Sequence, residues 1–338
     1  MKAVAYSIRP FEKEYLAIAN QKKHDITLIS NPLNSDTTNY AEGKDAIIVF
    51  TNDEVNTAVI EKLAGLGIKY IITRSTGTDH IDKEAADKYN IKVSNVPSYS
   101  PQAIAEHSVA LAFALNRRLI KADKNSHHFD FRNEELIGFN FAGKTVGIIG
   151  LGNTGLAAAK IYNGLGCKIV GYDPYFQAEA YDVQTVSLES LLSVSDIISL
   201  HLPLTAANKH FICEETLNRM KDGVMLINTS RGGLINTLDV LTALKTGKIG
   251  YLGLDVYEHE KGLFFEDHTN DQFKDTLLQM LMAYDNVLIT PHQAYLTKEA
   301  LQEIADQTIK NLDNLEMKQC LGAACVCKKG CRDIIPKV

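Results

Sequence analysis

Hydrophobic positions in the first hundred residues fall into short, β-branched runs separated by polar stretches with helical spacing. Residues 2–6, 26–29, 46–50, 70–73 and 92–94 read as strands, and residues 10–20 and 56–66 read as helices between them. Such alternation predicts βαβ units and a parallel sheet covered on both faces. At residues 95–101, Asn-Val-Pro-Ser-Tyr-Ser-Pro, two prolines interrupt both periodicities and mark a boundary. A long apolar-rich helix over residues 103–118 follows, suited to linking two domains. From Thr145 a second βαβ series runs through apolar strands at 146–149, 168–171, 196–200, 224–228, 250–255 and 286–290. The helix from Lys298 to about Leu315 is too short for a domain and is expected to return to the first one.

The second series opens on Val146-Gly-Ile-Ile-Gly150-Leu-Gly152-Asn-Thr-Gly155, with a helix-compatible stretch after it. Strand, Gly-x-Gly-x-x-Gly and helix in this order predict a dinucleotide site. Gly150 permits the tight turn, Gly152 lets a pyrophosphate approach the backbone, and Gly155 lets the helix pack close. The helix N-terminus then points its N–H groups at the phosphates. Asp173 ends the next apolar run, where a carboxylate accepts hydrogen bonds from the adenosine ribose. It would repel a 2′-phosphate, so NAD is expected over NADP.

Composition narrows the picture mostly by exclusion. A chain of 338 residues is long enough for two domains with full cores. A net charge of −6 without a Lys/Arg-rich block argues against nucleic acid. No apolar stretch approaches the roughly 20 residues of a membrane span, and the apolar start is too brief for a signal sequence. A cytoplasmic protein with no membrane partner is expected. Cys320, Cys325, Cys327 and Cys331 crowd the C-terminus, but C-x4-C-x-C-x3-C matches no common zinc or iron–sulfur spacing. This segment is expected to be a solvated, poorly ordered tail, and no metal site is expected.

In an open parallel sheet, ligands bind beyond the carboxyl ends of the strands. Arg231, Glu260 and His292 fall beyond three successive strand ends of the second series. A guanidinium, a carboxylate and an imidazole on one edge suit hydride transfer to a 2-oxo acid. Arg231 matches a substrate carboxylate and polarises the adjacent carbonyl. His292 exchanges a proton with the carbonyl oxygen, and the Glu260 carboxylate favours the imidazolium form that donates it. Each has a plainer reading: a surface Arg in a Gly-rich loop, a solvated run Glu258-His-Glu-Lys261, and one of ten histidines. His127-His128 is a poor metal pair because adjacent residues on a helix diverge. His201 follows another strand end and is expected to line the cofactor cleft.

The chain resembles the D-isomer-specific 2-hydroxyacid dehydrogenase family, and within it the D-lactate dehydrogenase branch, from Met1 to about Leu315. The resemblance rests on Arg74-Ser-Thr-Gly77-Thr-Asp79-His-Ile-Asp82, Val96-Pro-Ser-Tyr99-Ser-Pro-Gln-Ala-Ile-Ala-Glu106 and the glycine motif. It continues through His201-Leu-Pro-Leu-Thr205, Asn228-Thr-Ser-Arg231-Gly, Leu254-Asp-Val-Tyr-Glu-His-Glu260 and Pro291-His292. It implies an α/β fold of two Rossmann-like or flavodoxin-like domains with parallel sheets. The cofactor domain, 99–298, is inserted into a discontinuous substrate domain, 1–98 and 299–338. It implies Arg231, Glu260 and His292 as the catalytic set. Backbone N–H groups at Thr76 and Gly77 would hold the substrate carboxylate, and Tyr99 and Tyr295 would shape the pocket. Cofactor contacts are expected from Gly150, Gly152, Asn153, Thr154, Gly155, Asp173, His201, Pro203, Thr229 and Asp255. A homodimer through the cofactor domain is also implied. Gly262-Leu-Phe-Phe265-Glu-Asp resembles the insertion of the lactate branch, whereas Gln293 and Leu296 depart from residues common after the histidine. The expected reaction is NADH-dependent reduction of pyruvate to D-lactate, with larger branched or aromatic oxo acids as an alternative. The rival from another class is a non-catalytic NAD-sensing corepressor or scaffold on the same fold.

Overall fold

The β-branched runs of the first hundred residues become β1 (Lys2–Ala5), β2 (Asp25–Leu28), β3 (Ala46–Val49), β4 (Tyr70–Thr73) and β5 (Lys92–Ser94). Helices α1 (Glu12–Asn20), α2 (Thr57–Gly65) and α3 (Lys83–Lys88) lie between them in the chain. The second series gives α4 (Pro101–Asn116), α5 (Leu119–Ser126), β6 (Thr145–Ile149), α6 (Asn153–Gly164), β7 (Lys168–Tyr172), β8 (Gln184–Thr185), α7 (Leu188–Val194) and β9 (Ile197–Leu200). It ends with α8 (Glu214–Asn218), β10 (Val224–Asn228), α9 (Thr237–Lys245), β11 (Ile249–Leu254), α10 (Thr276–Met282) and β12 (Val287–Ile289), before α11 (Lys298–Glu316). The computed structural model describes residues 1–175, 183–271 and 275–327. The chain divides into two units, Met1–Ser100 with Leu296–Val338, and Pro101–Tyr295.

In the first unit the five strands pair in parallel in the order β2-β1-β3-β4-β5. Successive residues bury on opposite faces. Val4, Ile47, Val49, Ile71 and Val93 join one core cluster, whereas Ala3, Ala5, Ala46, Ile48 and Ile72 join another. Alanines on that second face let α11 lie close, and Ala305, Ile309 and Leu312 of α11 complete its core. The period-2 burial on both faces explains why these strands read as nearly continuous apolar runs.

The second unit is a seven-stranded parallel sheet ordered β12-β11-β10-β9-β6-β7-β8. Ile148, Met225 and Ile227 face α4, whose Val109, Ala112 and Leu115 share their cluster. Ile149, Leu200 and Leu226 face the other way. The helix expected to link two domains is therefore a core helix of this unit, because its apolar side has a sheet face to cover. It stops at Asn116, and Arg118 turns into a left-handed conformation (φ 51°) from which α5 begins. His127 and His128 follow α5, and their Nδ1 atoms lie 2.9 and 2.8 Å from the carbonyls of Asp123 and Lys124.

The cysteine segment corrects an expectation. Residues 324–327 are not a solvated tail; they lie antiparallel along β5, at the sheet edge. Cys325 bridges Ser94, the Asn95 N–H donates to the Ala324 carbonyl (3.0 Å), and the Val326 N–H donates to that of Val93 (3.2 Å). Cys327 is buried, and its Sγ accepts from the Val93 N–H at 3.2 Å. An exposed strand edge favours such cover, and a thiol packs as a small apolar group. Cys320 is exposed, and Cys331 lies outside the described residues. No metal-capable cluster of three or more side chains occurs among the described residues. Val326→Pro removes a ladder donor and is expected to destabilise the protein by about 1–3 kcal/mol. Thermal unfolding checks this, and an unchanged melting temperature would show that the tail adds nothing to the sheet.

Candidate active site

The glycine motif performs the geometry its spacing suggests. Gly150 follows β6 at φ 95°, and a Cβ there would stand 2.4 Å from the His201 carbonyl oxygen. A Cβ on Gly155 would stand 1.9 Å from the Gly150 oxygen, whereas one on Gly152 would meet nothing within 4 Å. Two glycines thus close the turn, and the third leaves open space beside it. Gly152 is also the N-cap of α6 and supplies no side-chain acceptor, unlike Asn236 of α9 or Ser187 of α7. The first-turn N–H groups, starting at exposed Asn153 and half-buried Thr154, thus lack a side-chain cap and suit an anion.

Asp173, just past β7, accepts the Leu151 N–H at 2.9 Å on one oxygen and the Tyr175 N–H at 2.9 Å on the other. It ties down the glycine loop and retains lone pairs for a ribose. His201, just past β9, lies 2.9 Å by Nε2 from Ser199 Oγ. Its Nδ1 and the Thr229 Oγ1 are buried without partners. Such orphaned polar atoms call for a ligand or water to complete them. Burial pushes the His201 pKa down to about 4, so the ring is neutral at physiological pH. Pro203 is exposed, with its carbonyl accepting from Asn208 Nδ2 at 2.8 Å. The open glycine, the uncapped helix and the two orphaned atoms fit a dinucleotide.

The chemical groups come from β10, β11 and β12, which are neighbours in the sheet. Past β10, the Asn228 side chain braces the next turn, donating to the Arg231 carbonyl (2.9 Å) and accepting the Ser230 N–H (3.0 Å). Arg231 Nη1 donates to the Ser230 carbonyl at 2.8 Å. Past β11, one Glu260 oxygen accepts the Tyr257 N–H at 3.0 Å, and the other lies 2.9 Å from His292 Nδ1. The His292 side chain retains 14% of its exposure and Glu260 26%, so the pair is shielded but reachable.

His292 holds a left-handed backbone, φ 53°, which is costly for any residue with a side chain. Its N–H donates to the Asp255 carbonyl at 2.7 Å. The Asp255 carboxylate, with no exposed surface, accepts from Thr290 Oγ1 (2.6 Å), the Gln293 N–H (2.9 Å) and the Ala294 N–H (2.8 Å). Asp255, expected as a cofactor contact, is enclosed beneath the histidine turn. Sequence reasoning also missed His107, whose Nε2 lies 3.0 Å from Thr290 Oγ1 and 3.3 Å from Asp255. The Phe265 ring, in the insertion, sits 5.7 Å from that of His292. Tyr295 is buried three residues on.

Thr76, Gly77 and Tyr99 belong to the first unit. Thr76 and Gly77 follow β4, and among the described residues neither N–H meets a protein acceptor. Their loop is held by other groups: Thr76 Oγ1 donates to the Val96 carbonyl (2.8 Å), and Asn95 Nδ2 donates to the Thr76 carbonyl (2.7 Å). Beneath them Arg74 is buried against Glu12 and donates to the Tyr6 carbonyl at 2.8 Å. Tyr99 is half-buried.

A glycine-turned parallel sheet with an imidazole–carboxylate pair on its chemical edge defines a dinucleotide-dependent dehydrogenase. The chain belongs to the D-isomer specific 2-hydroxyacid dehydrogenase family, whose NAD binding domain matches residues 109–294, and NAD is its cofactor. It is 43% identical to the D-lactate dehydrogenase of Escherichia coli K12 over 94% of this chain and 97% of that one. It is 38% identical to the aromatic 2-oxoacid reductase of Clostridium sporogenes over 97% of this chain and 100% of that one. Among solved structures, the pyruvate reductase of Chlamydomonas reinhardtii superposes with a TM-score of 0.88 at 41% identity, covering 95% of this chain and 98% of that one.

His201 generates a pH dependence. An unfolded chain protonates this histidine near pH 6.5 and the folded one near 4, so the unfolded state binds more protons in between. Stability is expected to fall as pH drops through that window. His201→Asn should flatten the slope in denaturant melts between about pH 7 and pH 4.5; an unchanged slope would refute the assignment.

Proposed function

We propose that this enzyme reduces a 2-oxo acid to the D-2-hydroxy acid with NADH, and that pyruvate, giving D-lactate, is its preferred substrate. The observation carrying the reading is the 2.9 Å contact between His292 Nδ1 and Glu260. Glu260 fixes the ring through Nδ1, so Nε2 is the atom that gives a proton to the substrate's carbonyl oxygen. In the reverse direction the same nitrogen removes it. Arg231 binds the carboxylate and polarises the carbonyl with its planar fork. When bound, NADH supplies the hydride that reaches the carbonyl carbon.

In the first unit, the substrate domain of this reading, the Thr76 and Gly77 N–H groups take the substrate carboxylate, and Tyr99 shapes the pocket. In the second unit, Tyr295 is a substrate-contacting residue of the same reading. Gly150, Gly152, Asn153, Thr154 and Gly155 take the pyrophosphate, Asp173 the ribose, and His201, Pro203 and Thr229 line the rest of the cofactor cleft. Leu119, Ile120, Phe129, Phe131 and Ile137 are exposed on α5 and the chain after it. This apolar surface supports a homodimer through the cofactor unit. No described helix is long and apolar enough to cross a membrane; a cytoplasmic location belongs to this proposal.

The similarity to an aromatic 2-oxoacid reductase supports a second reading within the class, a larger oxo acid. Steady-state assays with pyruvate, phenylpyruvate and 2-ketoisocaproate, each with NADH and NADPH, separate the two. Pyruvate with NADH is expected to give the highest kcat/KM, and NADPH to be poor because Asp173 repels the extra phosphate. Tight NADH binding without turnover of any acid would favour the non-catalytic NAD sensor instead. His292→Gln is expected to lower kcat by about 10²–10⁴-fold, the usual contribution of a general acid. Arg231→Lys should lower kcat/KM by about 10–100-fold, since a point charge loses the charge-assisted fork. Normal kinetics in either variant would count against its assigned role.

A further inference from the structure

The segment between β11 and Glu260 carries a second carboxylate whose surroundings are as specific as those of the first. Glu258 is not part of a solvated charge run. One of its oxygens lies 2.5 Å from His210 Nε2, and the other accepts from Thr237 Oγ1 (2.8 Å) and the Thr237 N–H (3.1 Å). Its side chain is 13% exposed, and Thr237 is buried. His259 lies 3.8 Å away on the solvent side. Burial would lift the Glu258 pKa, but the bonds from His210 and Thr237 outweigh it and hold the group below its ordinary value. The carboxylate is therefore charged at neutral pH and bonded on both oxygens.

Thr237 opens α9, the helix entered from the Arg231 loop. The two loops also touch directly. A Cβ on Gly232 would stand 2.1 Å from the Tyr257 carbonyl carbon and 2.5 Å from the Glu258 nitrogen. The Arg231 backbone and the backbone leading to Glu260 are pressed together there. Glu258, on one side of the seam, bonds Thr237 on the other, as well as His210, whose N–H donates to the Gly233 carbonyl at 2.9 Å. We infer that Glu258, gripped by His210 and Thr237, is a positioning residue that fixes Arg231 relative to the Glu260–His292 pair. It acts through backbone and touches no reacting atom, so its effect falls on the transition state rather than on cofactor binding. The inference rests on the catalytic reading of Arg231, Glu260 and His292.

The test uses full-length protein with NADH and the same panel of oxo acids, alongside amide hydrogen exchange. Glu258→Ala is expected to lower kcat by about 10- to 100-fold, the scale of a small misplacement of catalytic groups. NADH affinity by fluorescence should stay within about twofold, because the glycine cradle is untouched. Exchange should quicken at residues 230–236 and 256–260 together. Thr237→Val should reproduce part of the loss and Thr237→Ser should restore it, which keeps the test open if Glu258→Ala folds poorly. A Glu258→Ala protein with kcat within about twofold of the parent overturns the inference, as does faster exchange confined to one loop. A parent without turnover whose two loops still loosen together would defeat the catalytic reading and leave the coupling standing.

Discussion

A carboxylate with no exposed surface must find its hydrogen bonds inside the protein, and Asp255 finds them in the turn that carries His292. Three donors from residues 290–294 converge on it, and its own carbonyl takes the His292 N–H. Bonds to a charged acceptor are worth about 1.5–3 kcal/mol each, against about 1–3 kcal/mol for one residue in the left-handed region. The anchoring therefore outweighs the strain, and His292 stays where the Glu260 carboxylate can reach its Nδ1. Everything proposed for the chemistry depends on that exchange.

The parallel sheet turns this local device into a site. Because β10, β11 and β12 are adjacent and run the same way, their following loops emerge side by side. Asn228 braces one loop, Asp255 the next, and Glu258 stitches the two together. The first unit solves the same problem differently, through Asn95. Its N–H meets the cysteine segment, its side chain meets the Thr76 carbonyl, and its carbonyl accepts from Asn311 of α11 at 2.9 Å. One residue thus gathers the cysteine segment, the last long helix and the loop whose two N–H groups meet no acceptor among the described residues.

Much of the fold was legible because burial on both faces of a parallel sheet leaves unbroken β-branched runs, and because glycines at Gly150, Gly152 and Gly155 have few other uses before a helix. Arg231, Glu260 and His292 were legible as positions, since strand ends can be counted along the chain. What holds them was not. Asp255 sits in the same motif as Glu260, and nothing local distinguishes an enclosed carboxylate from a partly exposed one. Glu258 looked solvated because its partners, His210 and Thr237, are far off in sequence. The tail looked disordered because its strand pairing with β5 spans more than two hundred residues, and short helices such as α5 and α8 carry too few turns to show a period.

The left-handed backbone at His292 has a consequence for how this protein would respond to selection. Glycine or asparagine occupies that conformation at less cost, so a variant carrying either there would shed strain while discarding the imidazole. Thermal robustness and turnover pull in opposite directions at this one position. On the proposed role of His292, a lineage under pressure only to stay folded would drift toward an inert nucleotide binder.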